Sequence, residues 1–423
     1  MYAGGEASPQ RRSHGVRRAR GGFFSLSRLS VSDLIFFGAF CVFLFVSGFL
    51  TAFGSIGYLT FCLITCIYAF PYLGCGLTPG LLCFTGVGVL YVLLSYMNIF
   101  PDAWTRFFLT DWILRQSFFV VMFPFHVTSF RRFWARVIRC GCRDAVVNVS
   151  FIASAIGVTL FRLGGIGEYD VTFGDTSVVV YAIPNLMNAT IVLMLSWCEI
   201  VYRFRTPKVR FVLLLLTLVA VLVTPSNTQT VLVSLAIIGL SMVPLPRFSL
   251  AVAYAGLLMA FVFAVTLVPG SVTNDPNTWI RMAFWQDALS AFNQSLWIGV
   301  GFGKEAVINL YPGLRKAHYM VDEFRLVGQS IHNSFLYVFY RMGLIGGLAF
   351  LYVVFVEFFP KSLSNKKSVR LMLIAHFICV FCLFVNVGLE SPYFVVGICW
   401  ALGLITGTQD ATSIEERGGV KLV

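Results

Sequence analysis

SIHNSFLYVFYRMGLIGGLAFLYVVF, residues 330–355, is an apolar run longer than the roughly 20 residues an α-helix needs to cross a bilayer. It nevertheless opens on His332-Asn333 and carries Gly343, Gly346 and Gly347 further along. In front of it lies the only long polar segment of the chain, Pro269 to Ile331. A histidine where a large loop meets a membrane helix is wet enough to titrate and held firmly enough to aim. Neutral imidazole is also a good general base near pH 7. His332 is therefore the candidate catalytic residue.

Composition sets the surroundings of that junction. The chain is 58% hydrophobic and 12% charged, with mean hydropathy +0.83. Soluble domains carry about 25% charged residues, so the sequence reads as an all-α polytopic membrane protein. Twelve spans are expected, near 32–51, 56–73, 78–98, 111–128, 145–161, 177–201, 211–224, 229–244, 248–268, 332–358, 371–388 and 392–407. The units are then a basic tail (1–30), nine spans (31–268), one large loop (269–331), three spans (332–408) and a second tail (409–423). Residues 1–30 hold six arginines and one acid among Gly, Ser and Pro, which reads as a disordered cytoplasmic tail. The apolar run after it is too long for a signal-peptide core and lacks a small-residue cleavage pattern.

The net charge of +12 does not mark a nucleic-acid binder, because the basic residues sit in short clusters between apolar runs. With the N-terminus inside, 22 of the 31 Lys and Arg face the cytoplasm, eight face out, and Arg341 falls within a span. By the positive-inside rule both termini are cytoplasmic and the large loop is external. Of eleven cysteines, Cys41, Cys62, Cys66, Cys83, Cys198, Cys379, Cys382 and Cys399 fall in apolar runs, where cysteine acts as a small hydrophobe. Cys140 and Cys142 lie in an Arg-rich loop and none is in the large loop, so a disulfide framework is not expected.

The large loop is rich in cations: Arg281, Lys304, Arg315, Lys316 and Arg325. Arg281 sits in NTWIRMAFWQDAL, residues 277–289, an amphipathic pattern in which Trp279, Met282 and Trp285 are placed to dip into the outer leaflet. It is either a surface cation paired with Asp275 or Asp287, or a clamp that grips phosphate oxygens bidentately. Gly299, Gly301 and Gly303 in LWIGVGFGKEA form a G-x-G-x-G run with no strand before it. They are expected to let backbone approach a neighbour or a substrate, not to bind a dinucleotide. Arg162 opens the outer loop RLGGIGEYDVTFGD, either snorkelling to headgroups or facing the same outer cavity. Arg341, costly in mid-span unless it faces the bundle interior or a water-filled cavity, lies roughly on the helix face opposite His332. No carboxylate pair, Asp-rich metal motif or H-E-x-x-H occurs, so neither metal nor cofactor is expected.

These residues resemble the O-antigen ligase/polymerase superfamily. His332-Asn333, nine residues, then Gly343-Leu344-Ile345-Gly346 is similar to its H-N-x9-G-x-x-G pattern. Arg281 with Trp285 and the run Ile298–Gly303 look like its R…W…G-x-G-x-G segment, LESPYF (389–394) like its E-x-P turn, and Arg162-Leu-Gly-Gly like a looser R-x-G-G feature. The motif match covers residues 269–400, and before that the likeness is architectural.

The resemblance implies a GT-C-like glycosyltransferase with one large periplasmic loop, working on the outer side of a bacterial inner membrane. Its donor would be a glycan on undecaprenyl diphosphate, and its acceptor the lipid A–core or another repeat unit. A chain-length regulator is a further partner of such systems. His332 would act on the acceptor hydroxyl and Arg281 on the diphosphate, with Asn333, Arg162, Gln229, Lys304 and Arg325 as substrate-binding candidates. One departure stands out: in TPSNTQTVLVSL, residues 224–235, Gln229 occupies the place where the family pattern has a cation. A lipid-linked glycan flippase or exporter shares the span count and outer cations, but would carry a halves repeat that this sequence lacks. A non-catalytic scaffold would leave His332 without a role.

Overall fold

The computed structural model describes residues 26–46, 51–97, 99–100, 109–164, 168–173, 176–181, 184–204, 206–223, 255–256, 285, 288–290, 292–293, 295–303, 331, 333–360, 366–385, 389 and 395–416. Helices run as α1 (Val31–Val46), α2 (Thr51–Ala69), α3 (Leu73–Gly76), α4 (Pro79–Tyr96), α5 (Leu109–Arg139), α6 (Arg143–Gly164), α7 (Pro184–Arg203) and α8 (Pro207–Val223). They continue as α9 (Ser334–Tyr352), which ends in a π turn over Val353–Glu357, then α10 (Lys366–Val385) and α11 (Val395–Glu416). Among the described residues, Pro79–Tyr96, Arg143–Leu160 and Ser334–Glu357 are long and apolar enough to cross a membrane. The fold is that of a helical membrane protein. The span expected at 229–244, all but residues 255–256 of the one at 248–268, most of the loop 269–331 and both tails' outer residues lie outside the described set.

Two expectations change. The chain is not purely helical: β1 (Glu168–Phe173) and β2 (Thr176–Tyr181) pair antiparallel, with Glu168 opposite Tyr181 and Phe173 opposite Thr176. Residues 177–181, counted with the span 177–201, thus belong to a strand, and α7 begins at Pro184. The run Ser177-Val-Val-Val-Tyr181 is β-branched and short, which favours a strand. Pro184 fits the first helical position, where its missing N–H costs nothing. Second, α5 and α11 outrun their expected ends at 128 and 407, reaching Arg139 and Glu416.

The core is the seam between α5 and α11. Gly403 and Gly407, four apart on α11, let the two backbones touch: a Cβ on Gly403 would lie 2.7 Å from the Phe130 carbonyl carbon, and one on Gly407 2.6 Å from the Arg131 oxygen. Small residues at this spacing are how membrane helices approach closely. Trp400 fills the space beside the seam, stacked on Phe40 at 4.5 Å and edge-on to Phe130 at 5.4 Å.

One end of the bundle is tied by ions. Arg131 pairs with Asp410 (2.7 Å), Arg136 with Asp33 (3.0 Å), Arg143 with Glu199 (2.5 Å) and Arg203 with Asp144 (3.1 Å). At the same end Glu357 accepts the N–H of Gly80 (2.7 Å) and Leu81 (3.1 Å) and the hydroxyl of Thr78, so it caps α4 from another helix. The opposite end gathers the C-terminus of α4, the N-terminus of α9, the end of α10 and the glycine loop 299–303.

Candidate active site

Asn333 starts α9. Its backbone is extended (φ −154°, ψ 103°) and its side-chain oxygen accepts the Leu336 N–H, at 3.0 Å. That is the N-cap role for which Asn is preferred. The chain just before and after His332 is fixed from outside the helix as well. The carbonyl of fully buried Ile331 accepts the indole N–H of Trp285 at 3.0 Å, and the Ser334 hydroxyl oxygen accepts the Leu389 N–H at 2.9 Å. Trp285 packs edge-on against Phe384 of α10, ring centroids 5.6 Å apart, so it is seated on the protein and not dipped into lipid as its pattern suggested. Three stretches separated in sequence therefore meet at the start of α9: Trp285, the segment Ile331 and Asn333-Ser334, and Leu389 after α10.

The second feature is a broken helix. Gly343 has φ +60° and ψ −162° inside α9, a conformation open essentially to glycine alone. The break frees backbone groups, and the glycine loop takes them up. Leu344 donates its N–H to Leu296 O at 2.9 Å instead of continuing the helix, while Tyr340 O accepts from Val300 N (2.9 Å) and Arg341 O from Gly301 N (3.0 Å). A Cβ on Gly299 would lie 2.5 Å from the Gly343 nitrogen, so both glycines are needed for the approach. The loop is also held from α4, where the buried Ser95 hydroxyl oxygen accepts the Phe302 N–H at 2.9 Å. The run 299–303 does bring backbone against a neighbour, and that neighbour is α9.

Arg341 lies at this joint, fully buried and facing the bundle interior. Its Nη1 donates to Gly301 O at 3.2 Å, so Arg341 and Gly301 bond each other twice, and its guanidinium lies 5.2 and 5.0 Å from the rings of Tyr337 and Tyr340. Of the other site candidates, Arg162 is in the last turn of α6, with its side chain outside what is described. His332, Arg281, Gln229, Lys304 and Arg325 lie outside the described residues.

A family model described as O-antigen ligase matches residues 188–351. The match supports the O-antigen ligase superfamily. The matched segment opens at Asn188, whose buried side-chain oxygen accepts the Gly397 N–H near the start of α11 (2.6 Å), and it closes just past the glycine joint. It therefore includes the loop, the His332 junction and the break at Gly343. No curated protein sequence matches the chain. Sequence reading missed Ser95 and Ser334 as backbone partners of the loop and the turn. Their only signal is a hydroxyl inside an apolar run, which a hydrogen bond to the preceding turn explains equally well.

Proposed function

We propose that the chain is an inner-membrane glycosyltransferase that moves a glycan from undecaprenyl diphosphate to an acceptor hydroxyl, by ligation to lipid A–core or by joining repeat units. The observation that carries this reading is the O-antigen ligase match across the joint between the loop and α9. His332 serves as general base to the acceptor hydroxyl. The anchoring of its neighbours Ile331, Asn333 and Ser334 supports that role. Arg281, four residues before the anchored Trp285, grips the diphosphate. Since the Asn333 oxygen is committed to its cap, a substrate contact from Asn333 comes from its amide N–H. Arg162, Gln229, Lys304 and Arg325 line the substrate path, with the site on the periplasmic side and both termini cytoplasmic. Fixed cations stabilise the leaving diphosphate more than the ground state, because its charge grows as the sugar bond breaks.

The direct test is transfer by the purified chain in nanodiscs, with lipid-linked donor and each acceptor in turn. No transfer to either acceptor would overturn the reading. Arg281→Lys is expected to cut transfer by at least about tenfold, since a point ammonium cannot grip a diphosphate bidentately. Wild-type transfer by both Arg281→Lys and Arg281→Ala would remove Arg281 from the clamp. Turnover is also expected to survive excess EDTA without added nucleotide, the surplus of outer cations doing the work of a metal. Loss of activity with chelator, restored by a divalent ion, would sink the cation-only mechanism.

A further inference from the structure

An ionised side chain buried in an apolar helix is costly unless a group of opposite charge meets it. Arg341 is 0% exposed, and among the described residues no such group is present. Nη1 donates to the Gly301 carbonyl, while among the described residues Nε and Nη2 have no acceptor. The two idle nitrogens share one edge of the guanidinium plane, the edge that holds a carboxylate or phosphate through two parallel hydrogen bonds.

The molecule itself shows what that edge does when an anion is at hand. Arg131 sets Nε and Nη2 on the two oxygens of Asp410, at 2.7 and 3.0 Å. Arg143 does the same to Glu199, at 2.9 and 2.5 Å. Both are less buried than Arg341, with 23% of each side chain exposed. The most deeply buried of the three is the one whose bidentate edge holds no anion among the described residues.

Its position suits a ligand from the outer side. Helical side chains lean toward the start of their helix, and the guanidinium lies by Tyr337, one turn before Arg341. Tyr337 in turn donates its N–H to Asn333 O at 2.8 Å. The guanidinium thus lies beside a residue that sits one turn after the Asn333 cap. The tie to Gly301 holds the plane in place before any ligand arrives, which lowers the ordering cost of binding.

We propose that the Nε/Nη2 edge of Arg341 is an anion-binding edge for a phosphate group, that of the lipid-linked donor, and supplies the cation absent at Gln229. The identity of the donor rests on the glycosyltransferase reading, whereas the anion edge does not.

The test is equilibrium binding to the full-length chain in nanodiscs of zwitterionic lipid. The probes are sugar-free polyprenyl diphosphate, uncharged polyprenol and inorganic pyrophosphate. Arg341→Gln is expected to weaken polyprenyl diphosphate binding by about 10- to 100-fold, a loss of the size a charged bidentate pair carries, with polyprenol binding and Tm close to wild type. A purely structural tie to Gly301 predicts the reverse, a lower Tm with diphosphate affinity unchanged. Equal diphosphate affinity in wild type and variant overturns the proposal and leaves the glycosyltransferase reading standing. If wild type binds no polyprenyl diphosphate, the donor assignment fails instead, and pyrophosphate decides Arg341: weaker binding by the variant supports the edge, equal or absent binding rejects it. Should Arg341→Gln not fold, Arg341→Lys decides, because it keeps the charge and loses the edge. About tenfold weaker binding is expected, and wild-type affinity overturns the proposal.

Discussion

His332→Ala leaves the protein folded in the membrane and lowers glycan transfer by about 10²- to 10⁴-fold, the usual loss when a general base is removed. The expectation of normal folding comes from the neighbours of residue 332. Ile331 is held by the Trp285 indole, Asn333 caps α9 with its own side chain, and Ser334 is tied to Leu389. None of these bonds uses the side chain at 332, so removing it leaves the helix start in place. Donor binding should be nearly unchanged, because the base acts on the acceptor. Single-turnover transfer and donor affinity, measured on the same preparation, check both halves. Near-normal transfer would remove His332 from the chemistry, and a collapse of donor affinity would move it to the binding of the diphosphate.

Gly343→Ala is expected to be as damaging by another route. Its φ of +60° with ψ −162° costs a side-chain-bearing residue about 1–3 kcal/mol. The added Cβ would also lie 2.6 Å from the Ile298 carbonyl carbon and overlap the Trp297 carbonyl, both backbone groups that cannot swing aside. Overpacking of this kind adds about 1–3 kcal/mol. The joint should open, with loss of the bonds from Val300 and Gly301 to α9 and a fall in transfer that no increase of donor restores. Gly86→Ala is the control. That residue is helical and exposed with open space around it, so alanine should be neutral or slightly stabilising. If thermal unfolding and transfer of Gly343→Ala match those of Gly86→Ala, the break at Gly343 is not needed.

Much of this was legible in the residues. The apolar runs, the helix start at Asn333 and the glycine run 299–303 are local patterns, and each marks something the structure contains. What they could not reveal is pairing. A positive-φ glycine in a helix reads as a weak spot until its partner is known, and the partner lies some forty residues earlier, joined by backbone hydrogen bonds that leave no periodic trace. Trp285 was misplaced for a similar reason, since an amphipathic pattern names an apolar side without saying whether lipid or α10 covers it. The strand at Thr176–Tyr181 was hidden because a short run of valines carries no period that separates strand from span. Arg341 was read correctly as facing inward, but the open edge of its guanidinium is a matter of atoms, not of helix faces.

The two ends of the bundle also differ mechanically. At the end with four ion pairs, the glycine seam of α11 lies directly on the backbone of α5, and sliding or tilting there would force carbonyls into one another. At the other end α9 is already cut at Gly343, and the two pieces are spliced through a loop by a few hydrogen bonds. Among the described residues, Gly343 is where α9 leaves regular helical geometry. The glycine loop bonds α9 on both sides of the break, at Tyr340 and Arg341 before it and at Leu344 after it, so a load on the helix start is shared between the two. The ion-paired end takes no part in that joint.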